Sequence, residues 1–171
     1  MLKLIEAGKN DPKKEWEFVS TFKSENGFEN NYYGCSLEEY IDNVLPCFKQ
    51  NAVGENLSPG HVPQTTFFLM DDDVLVGFFK VRHFCNDVTR ANGTGHIGYA
   101  IKEEYRGKGY AKRGLALAID ELLKMPDYDP KDDIIMGFRK NNIASRKVQE
   151  GNGAKIIGET EEDYITKIEI K

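Results

Sequence analysis

The chain has 171 residues, of which 40% are hydrophobic and 30% are charged, and its formal net charge is −5. This length predicts a single domain over residues 1–171, large enough to bury a core without disulfide or metal support. The negative charge argues against a nucleic-acid-binding protein, so any basic patch must be local. Three cysteines without C-x-x-C spacing favour reduced thiols, and no apolar stretch reaches the length of a membrane span. We therefore expect a cytoplasmic protein without a bound metal, a nucleic-acid partner or a membrane partner.

The first third of the chain predicts one strand and two helices. An apolar run over residues 2–6 predicts a strand. Asp11 followed by Pro12 is typical of a helix start, and Ser36 with Glu39 forms a capping box at the start of a second helix. The aromatic loop ENGFENNYYG separates the two helices, and the loop NLSPGHVPQ follows the second.

The remainder of the chain is richer in strands. The runs TTFFLM and VLVGFFKVRHF predict an antiparallel hairpin, and we interpret Asp71–Asp73 between them as a solvated turn rather than a metal site. The loop NDVTRANGTG leads to the strand HIGYAI, and a helix is predicted from about Lys108 to Lys124. DIIMGF predicts a buried strand, NNIASRKVQEGNG a short helix, and AKIIGE and DYITKIEI two closing strands. This order predicts an α/β protein with a mixed sheet.

The segment YRGKGYAKRG, residues 105–114, lies between the strand HIGYAI and the helix that follows it. Helix N-termini carry unpaired N–H groups that bind phosphate readily, and Gly107 and Gly109 let the backbone approach an anion closely. Arg106 and Lys108 add positive charge. The same ten residues are equally compatible with a plain strand-to-helix turn.

Two nucleotide-binding motifs fit this segment poorly. A Walker loop built on Gly109 and Gly114 requires lysine where Leu115 stands. A dinucleotide fingerprint that begins at Gly107 requires glycine where Lys112 stands.

A third pattern fits better. Arg106, Gly109 and Ala111 give R-x-x-G-x-A, which resembles the pyrophosphate loop of the GNAT superfamily of N-acetyltransferases. A second signature of that superfamily, N-x-x-S before a short helix and a glycine, is present as Asn142, Ser145 and Gly153. The order of elements is also similar. In particular, VGFFKVRHFCND, GHIGYAI and NNIASRKVQEGNGA resemble a bacterial branch of predicted acetyltransferases.

The resemblance implies a GNAT fold, with a mixed central sheet of six to seven strands flanked by about four helices. Acetyl-CoA, as co-substrate, would lie where HIGYAI splays from DIIMGF. The glycine-rich segment would hold its pyrophosphate, and backbone groups of Tyr99 and Ile101 would pair with its pantetheine arm. Asn142 would contact the same arm, cap the following helix, or do both. The implied cofactor-binding residues are Tyr99, Ile101, Arg106, Gly107, Lys108, Gly109, Tyr110, Ala111, Asn142 and Ser145.

The resemblance leaves the proton-transfer groups less determined. His96 occupies a position where many relatives have a catalytic glutamate, so it is a candidate general base, although a merely polar residue at a strand start is equally compatible. His83 is a second candidate. Gln149 stands where relatives often have a proton-donating tyrosine, so the acid is Tyr99, Tyr110 or no residue at all.

We therefore expect an acetyl-CoA-dependent N-acetyltransferase acting on a primary amine of a small molecule or peptide, as a monomer or homodimer. Acceptor contacts are expected from the loops around Phe28, Tyr32 and Tyr33, from Pro59–Pro63 and from Asn86–Gly95, where acidic groups would favour a cationic amine. An acyl-CoA-binding sensor without turnover, and an interaction protein without a CoA site, are the alternatives.

Overall fold

The computed structural model describes residues 1–170, in which strands and helices alternate along the chain. The strands are β1 Leu2–Glu6, β2 Gln64–Asp71, β3 Val74–Arg82, β4 Ile97–Ile101, β5 Ile134–Arg139, β6 Lys155–Glu159 and β7 Asp163–Ile168. The helices are α1 Pro12–Thr21, α2 Leu37–Glu39, α3 Leu45–Ala52, α4 Asp87–Ala91, α5 Tyr110–Leu122 and α6 Ile143–Glu150. No helix among these residues is long and apolar enough to cross a membrane.

The strands form two antiparallel sheets, in the orders β1-β2-β3-β4 and β5-β7-β6. The α/β class is as predicted, but the expected mixed sheet is corrected, since every ladder within residues 1–170 is antiparallel. The sheets meet at the starts of β4 and β5, where the His96 N–H donates to the Ile135 carbonyl at 2.6 Å. The Ile135 N–H donates to His96 Nδ1 at 3.0 Å. In a regular ladder the Ile135 N–H would donate to a main-chain carbonyl of the neighbouring strand. Here it donates to the His96 imidazole instead, so the ladder does not continue and β4 and β5 diverge.

The four-stranded sheet separates two apolar clusters. Successive strand side chains point to opposite faces, so Phe78 joins the cluster under α1 and α3 while Phe79 joins the cluster under α5. The α5 stripe of Leu115, Ala118 and Leu122 is fully buried. Both faces of the sheet are therefore covered by helices.

Three helical features differ from the sequence prediction. The helix α5 begins at Tyr110 rather than near Lys108, because Gly109 has φ 76° and forms the N-cap. The loop NDVTRANGTG contains the short helix α4, capped by Asn86. Between α2 and α3 the chain makes a π-helical turn, Tyr40–Val44, where Pro46 follows closely and lacks the N–H of a regular turn.

Candidate active site

A cleft of about 920 Å³ opens where β4 and β5 diverge. Part of its wall is the glycine loop, defined here as residues 106–111, and another part is the α1–α2 loop, residues 25–29. The start of α6 contributes Asn142 and Ser145, and β3 contributes Lys80 and Arg82. The cleft thus gathers groups from segments that are far apart in the sequence.

The glycine loop presents backbone amides to open space. Gly107 has φ 75° and Gly109 has φ 76°, and a Cβ built on either residue would meet no atom within 4 Å. The N–H groups of Gly107, Lys108 and Gly109 donate to no acceptor within residues 1–170. The first amides of α5 are unpaired as well, as in any helix start. This arrangement fits a pyrophosphate or a similar anion.

The charged residues of the loop are held differently from one another. Arg106 Nε donates to the Ile101 carbonyl at 2.9 Å, and its guanidinium is paired with Glu25 of the α1–α2 loop. Lys108 places its Nζ 5.6 Å from the centre of the Tyr105 ring and does not line the cleft. Arg106 is therefore a brace, contrary to the expectation that both residues add free positive charge.

Lysines that the sequence reading omitted do line the cleft. Besides Lys80 of β3, they are Lys112, in the first turn of α5, and Lys147 of α6. The first-turn position of Lys112 beside the glycines was a usable signal, whereas nothing local marked Lys147.

The edge of β4 that faces the gap carries free backbone groups. The Arg82 N–H donates to the His96 carbonyl at 2.7 Å, which fixes the alternation of the β3–β4 ladder. By that alternation Tyr99 and Ile101 turn their N–H and C=O groups away from β3 and toward the gap. The Ile101 carbonyl is taken by Arg106, so the groups left free are both of Tyr99 and the N–H of Ile101.

Tyr99 places a phenol group in the cleft. Its ring stacks on Phe79, with ring centres 5.7 Å apart, and its hydroxyl lies 2.9 Å from Ser145 Oγ. Burial raises the pKa of Tyr99 to about 12, so the phenol keeps its proton at neutral pH. Tyr99 is therefore a fixed O–H donor.

Asn142 caps α6 and also lines the cleft. Its Oδ1 accepts the Ser145 N–H at 3.0 Å, which is the geometry of a helix N-cap. The cap uses only the carbonyl oxygen of the side chain, so the amide nitrogen is not committed to it.

Comparison with known proteins places this architecture in a family. Residues 38–155 match the family model described as an acetyltransferase (GNAT) domain. The chain belongs to the GNAT acetyltransferase family. The family and the GNAT fold predicted from the sequence are thus confirmed, and no curated protein sequence gives a significant match.

Solved structures share the fold of this GNAT protein at low sequence identity. A GNAT-family acetyltransferase from Streptococcus pneumoniae superposes with a TM-score of 0.64 at 16% identity, covering 100% of both chains. AAC(6')-Ib, in complex with ribostamycin and coenzyme A, gives 0.64 at 13% identity, covering 99% of this chain and 93% of its own. Campylobacter jejuni N-acetyltransferase PseH, in complex with acetyl coenzyme A, gives 0.62 at 15% identity, covering 100% of both chains.

The two histidines predicted as bases lie outside the cleft of this GNAT protein. The side chain of His96 is fully buried, with its Nδ1 accepting the Ile135 N–H and its ring edge against Tyr128. Burial lowers the pKa of His96 to about 4, so the ring is neutral at physiological pH. His96 is corrected to a structural residue, because the same pairing that joins the sheets draws its ring into the core.

His83 is likewise removed from the cleft. It is buried, with Nε2 2.8 Å from Thr65 Oγ1 and Nδ1 3.4 Å from Asp127. Both ring nitrogens are engaged with residues that do not line the cleft, so the prediction of His83 as a base is corrected as well.

Gln149 and Tyr110 are committed to structural bonds. Gln149 is buried, donates to the Gly137 carbonyl at 2.8 Å and accepts from Thr166 Oγ1 at 2.6 Å. The Tyr110 hydroxyl donates to Asp71 at 2.6 Å, although its ring lines the cleft. Tyr99 is the remaining phenol among the acids considered from the sequence.

The remaining expectations concerned the acceptor side and metals. Phe28 lines the cleft, as do Asn92, Gly93 and Thr94 of the loop before β4, whereas Tyr32, Tyr33 and the Pro59–Pro63 loop do not. Acidic groups were expected in these loops, and the loop around Phe28 does contribute Glu25 and Glu29 to the lining, whereas β3 contributes the cations Lys80 and Arg82. Within residues 1–170 no three His, Cys, Asp or Glu side chains are arranged to hold a metal ion.

Proposed function

We propose that this GNAT protein transfers an acetyl group from acetyl-CoA directly to a primary amine of a small molecule or peptide. The observation that carries the proposal is the glycine loop, whose free amides lie in one cleft with the open edge of β4 and the Tyr99 hydroxyl. The structural neighbours support it, because AAC(6')-Ib is complexed with coenzyme A and PseH with acetyl coenzyme A.

Different residues of the cleft bind different parts of the donor, acetyl-CoA. When bound, acetyl-CoA supplies, activated as a thioester, the acetyl group that is transferred, and the coenzyme A thiol is the leaving group. The amides of Gly107–Ala111 hold its pyrophosphate, with Lys112 adding positive charge. The free backbone groups of Tyr99 and the N–H of Ile101 bind its amide-bearing arm like an added strand. The side-chain amide nitrogen of Asn142 adds a donor to the same arm.

Tyr99 acts as the general acid. As the bond between the acetyl carbon and sulfur breaks, the Tyr99 hydroxyl donates its proton to the leaving sulfur. The phenolate regains a proton from the attacking nitrogen, which loses one as the amide forms, so the high pKa of Tyr99 favours its return to the protonated state. The contact with Ser145 and the stack on Phe79 hold the hydroxyl in one place. Tyr99 thus acts as the proton donor in place of the residue at position 149, where glutamine has no acidic proton.

The attacking amine must be neutral, and no histidine in the cleft accepts its proton. Three carboxylates line the cleft. Glu25 and Asp163 are held in ion pairs with Arg106 and Arg139, and Glu29 lies exposed at the rim. We infer that the protein acetylates the neutral fraction of its amine. An α-amine, with a pKa of about 8, then costs less to deprotonate than a lysine-like amine.

The donor site is tested by Gly109→Leu. A side chain at Gly109 enters the open space where the phosphates bind, so the Kd for acetyl-CoA should rise about tenfold or more. The measurement is isothermal titration with acetyl-CoA. Gly153→Leu is the matched control, because Gly153 has φ 89°, is equally open and does not line the cleft. Both variants carry backbone strain of roughly 1–2 kcal/mol, so they should lose similar stability while only the first loses affinity.

The reaction is tested by thiol release from acetyl-CoA across a panel of primary amines. Release with at least one amine supports the enzyme. Binding of acetyl-CoA without release across the whole panel would instead favour the sensor, and no binding would contradict both.

A further inference from the structure

Two cations of β3 face the cleft without an acidic partner. Lys80 and Arg82 are two residues apart, so their side chains share one face of the strand. Lys80 lies opposite Gly98 of β4, which has no side chain to cover it. Neither cation forms an ion pair within residues 1–170.

Their few contacts are neutral. The Lys80 Nζ donates to the Glu29 main-chain carbonyl at 2.5 Å and lies 4.7 Å from the centre of the Phe28 ring. One N–H of Arg82 reaches the Gly95 carbonyl at 3.3 Å. The other N–H groups of the two side chains form no hydrogen bond within residues 1–170 and are free to bind a ligand.

Other arginines around the cleft are neutralised, which sets this pair apart. Arg139 pairs with Glu162 and Asp163, and Arg106 pairs with Glu25. The lack of an acidic partner for Lys80 and Arg82 does not come from a shortage of acidic residues, because the chain has 28 of them against 23 lysines and arginines.

The pair is electrostatically unfavourable as it stands. Burial, and to a lesser extent the neighbouring Arg82 charge, lowers the pKa of Lys80 to about 8. Burial also lowers the pKa of Arg82. The Glu29 carboxylate acts on Lys80 in the opposite sense, but it lies at the exposed rim. Two like charges held together in a partly buried cleft are relieved when an anion binds between them.

This anion is not one of the phosphates of the donor. Lys80 and Arg82 lie opposite Gly98 and His96, near the start of β4, whereas the glycine loop follows the end of that strand. The intervening strand measures about 10–16 Å at roughly 3.3 Å per residue. A different lysine, Lys112, lines the cleft directly after the glycine loop.

We propose that the amine acetylated by this protein carries an anionic group, a carboxylate or a phosphate, which Lys80 and Arg82 bind. The inference rests on the proposed function and reverses the expectation of a cationic acceptor. Arg82 can bind either anion through two parallel N–H groups, with Lys80 as the second point of attachment.

The test compares amines that differ chiefly in the anionic group. Ethanolamine is compared with phosphoethanolamine and L-serine, and glucosamine with glucosamine 6-phosphate, by thiol release from acetyl-CoA. We expect kcat/KM to be about tenfold higher or more for an anionic member of a pair. The serine and phosphate arms distinguish a carboxylate from a phosphate.

Variants locate the preference. Lys80→Met and Arg82→Gln should each remove about tenfold or more of kcat/KM for the anionic amine, mainly through KM, and leave the uncharged partner nearly unaffected. Lys3→Met, on the exposed edge of β1, is the matched control and should change neither. Acetyl-CoA affinity should be unchanged in all three variants. The melting temperature of Lys80→Met and of Arg82→Gln should not fall, because each change removes one of two neighbouring positive charges.

Each outcome decides the proposal. Equal turnover of charged and uncharged partners, or an anion preference that survives both cleft variants, overturns it while the proposed function stands. If no amine releases thiol, inorganic phosphate and acetate are titrated onto the coenzyme A complex, and binding weakened by Lys80→Met supports the proposal whereas absent or unweakened binding overturns it. Failure of the unaltered protein to bind acetyl-CoA overturns the proposed function and this inference together.

Discussion

At the scale of single residues, the position of one hydroxyl group decides the chemistry of the cleft. Tyr99 and Tyr110 were both candidates for the acid in the sequence. The choice between them depends on the bond from Tyr110 to Asp71, which spans 39 positions of the chain. No local pattern reports a contact of that length. His96 and His83 fail as bases for the same reason, because their burial is decided by β5 and by Thr65 rather than by their neighbours in sequence.

Replacing Tyr99 by phenylalanine tests its role as the acid. Tyr99→Phe keeps the stack on Phe79 but removes the proton, so kcat should fall about 100-fold while acetyl-CoA affinity stays within about twofold. The measurement is the pH–rate profile of thiol release with a substrate amine. Tyr164→Phe is the control, because Tyr164 packs its ring on the lining residue Phe138 but does not itself line the cleft. A kcat equal to that of the unaltered protein would remove Tyr99 from proton transfer.

At the scale of elements, sequence signals were most reliable where a cap is local. Asp11, Ser36 and Asn142 all cap helices as their spacing indicates. The short helix α4 was read as a loop, because five residues carry too little periodicity to be distinguished. The start of α5 depends on a positive φ at Gly109. Glycine permits a positive φ, but its presence in a sequence does not predict one.

A substitution at Asn142 can separate its role as the N-cap of α6 from its proposed contact with acetyl-CoA in the cleft. Asn142→Asp keeps the oxygen that accepts the Ser145 N–H but loses the amide donor, so stability should change by less than about 0.5 kcal/mol. Acetyl-CoA affinity should fall about five- to tenfold, measured by titration calorimetry. Asn86→Asp is the control, since Asn86 caps α4 through the same bond to Thr89 outside the cleft. Unchanged affinity would show that Asn142 is a cap alone.

At the scale of the whole molecule, the two sheets are joined by the pairing of His96 with Ile135. Alternation and turn residues predicted the seven strands well, because those signals are local. These local signals could not predict that the sheet divides. The division depends on the His96 imidazole accepting an N–H that a main-chain carbonyl would otherwise accept, and this exchange does not change the hydrophobic periodicity. The cleft exists because of that division, so its presence was inferred from the family resemblance and not from the pattern.

The junction makes stability depend on pH. His96 has a folded pKa of about 4, below its ordinary value of about 6.5, so the unfolded chain binds the proton more readily. The free energy of unfolding should therefore fall as pH drops from about 6.5 to 4, by roughly 3 kcal/mol at most from this residue. His96→Asn, whose Oδ1 can accept the Ile135 N–H, should flatten this part of the curve in urea denaturation at several pH values. His61→Asn, at an exposed position, should leave it unchanged, and parallel curves for His96→Asn would contradict the assignment.

The division of the cleft into main-chain and side-chain contacts bears on how this protein can be re-engineered. In the proposed function the donor is held by amides that persist whatever side chains surround them, provided that Gly107 and Gly109 are kept. The proposed acceptor side consists of replaceable side chains on β3 and the α1–α2 loop. A library that varies Lys80, Arg82 and Phe28 can therefore search for new amines without rebuilding the donor site. Glu25 should be left out of such a library, because its ion pair holds the arginine that braces the glycine loop.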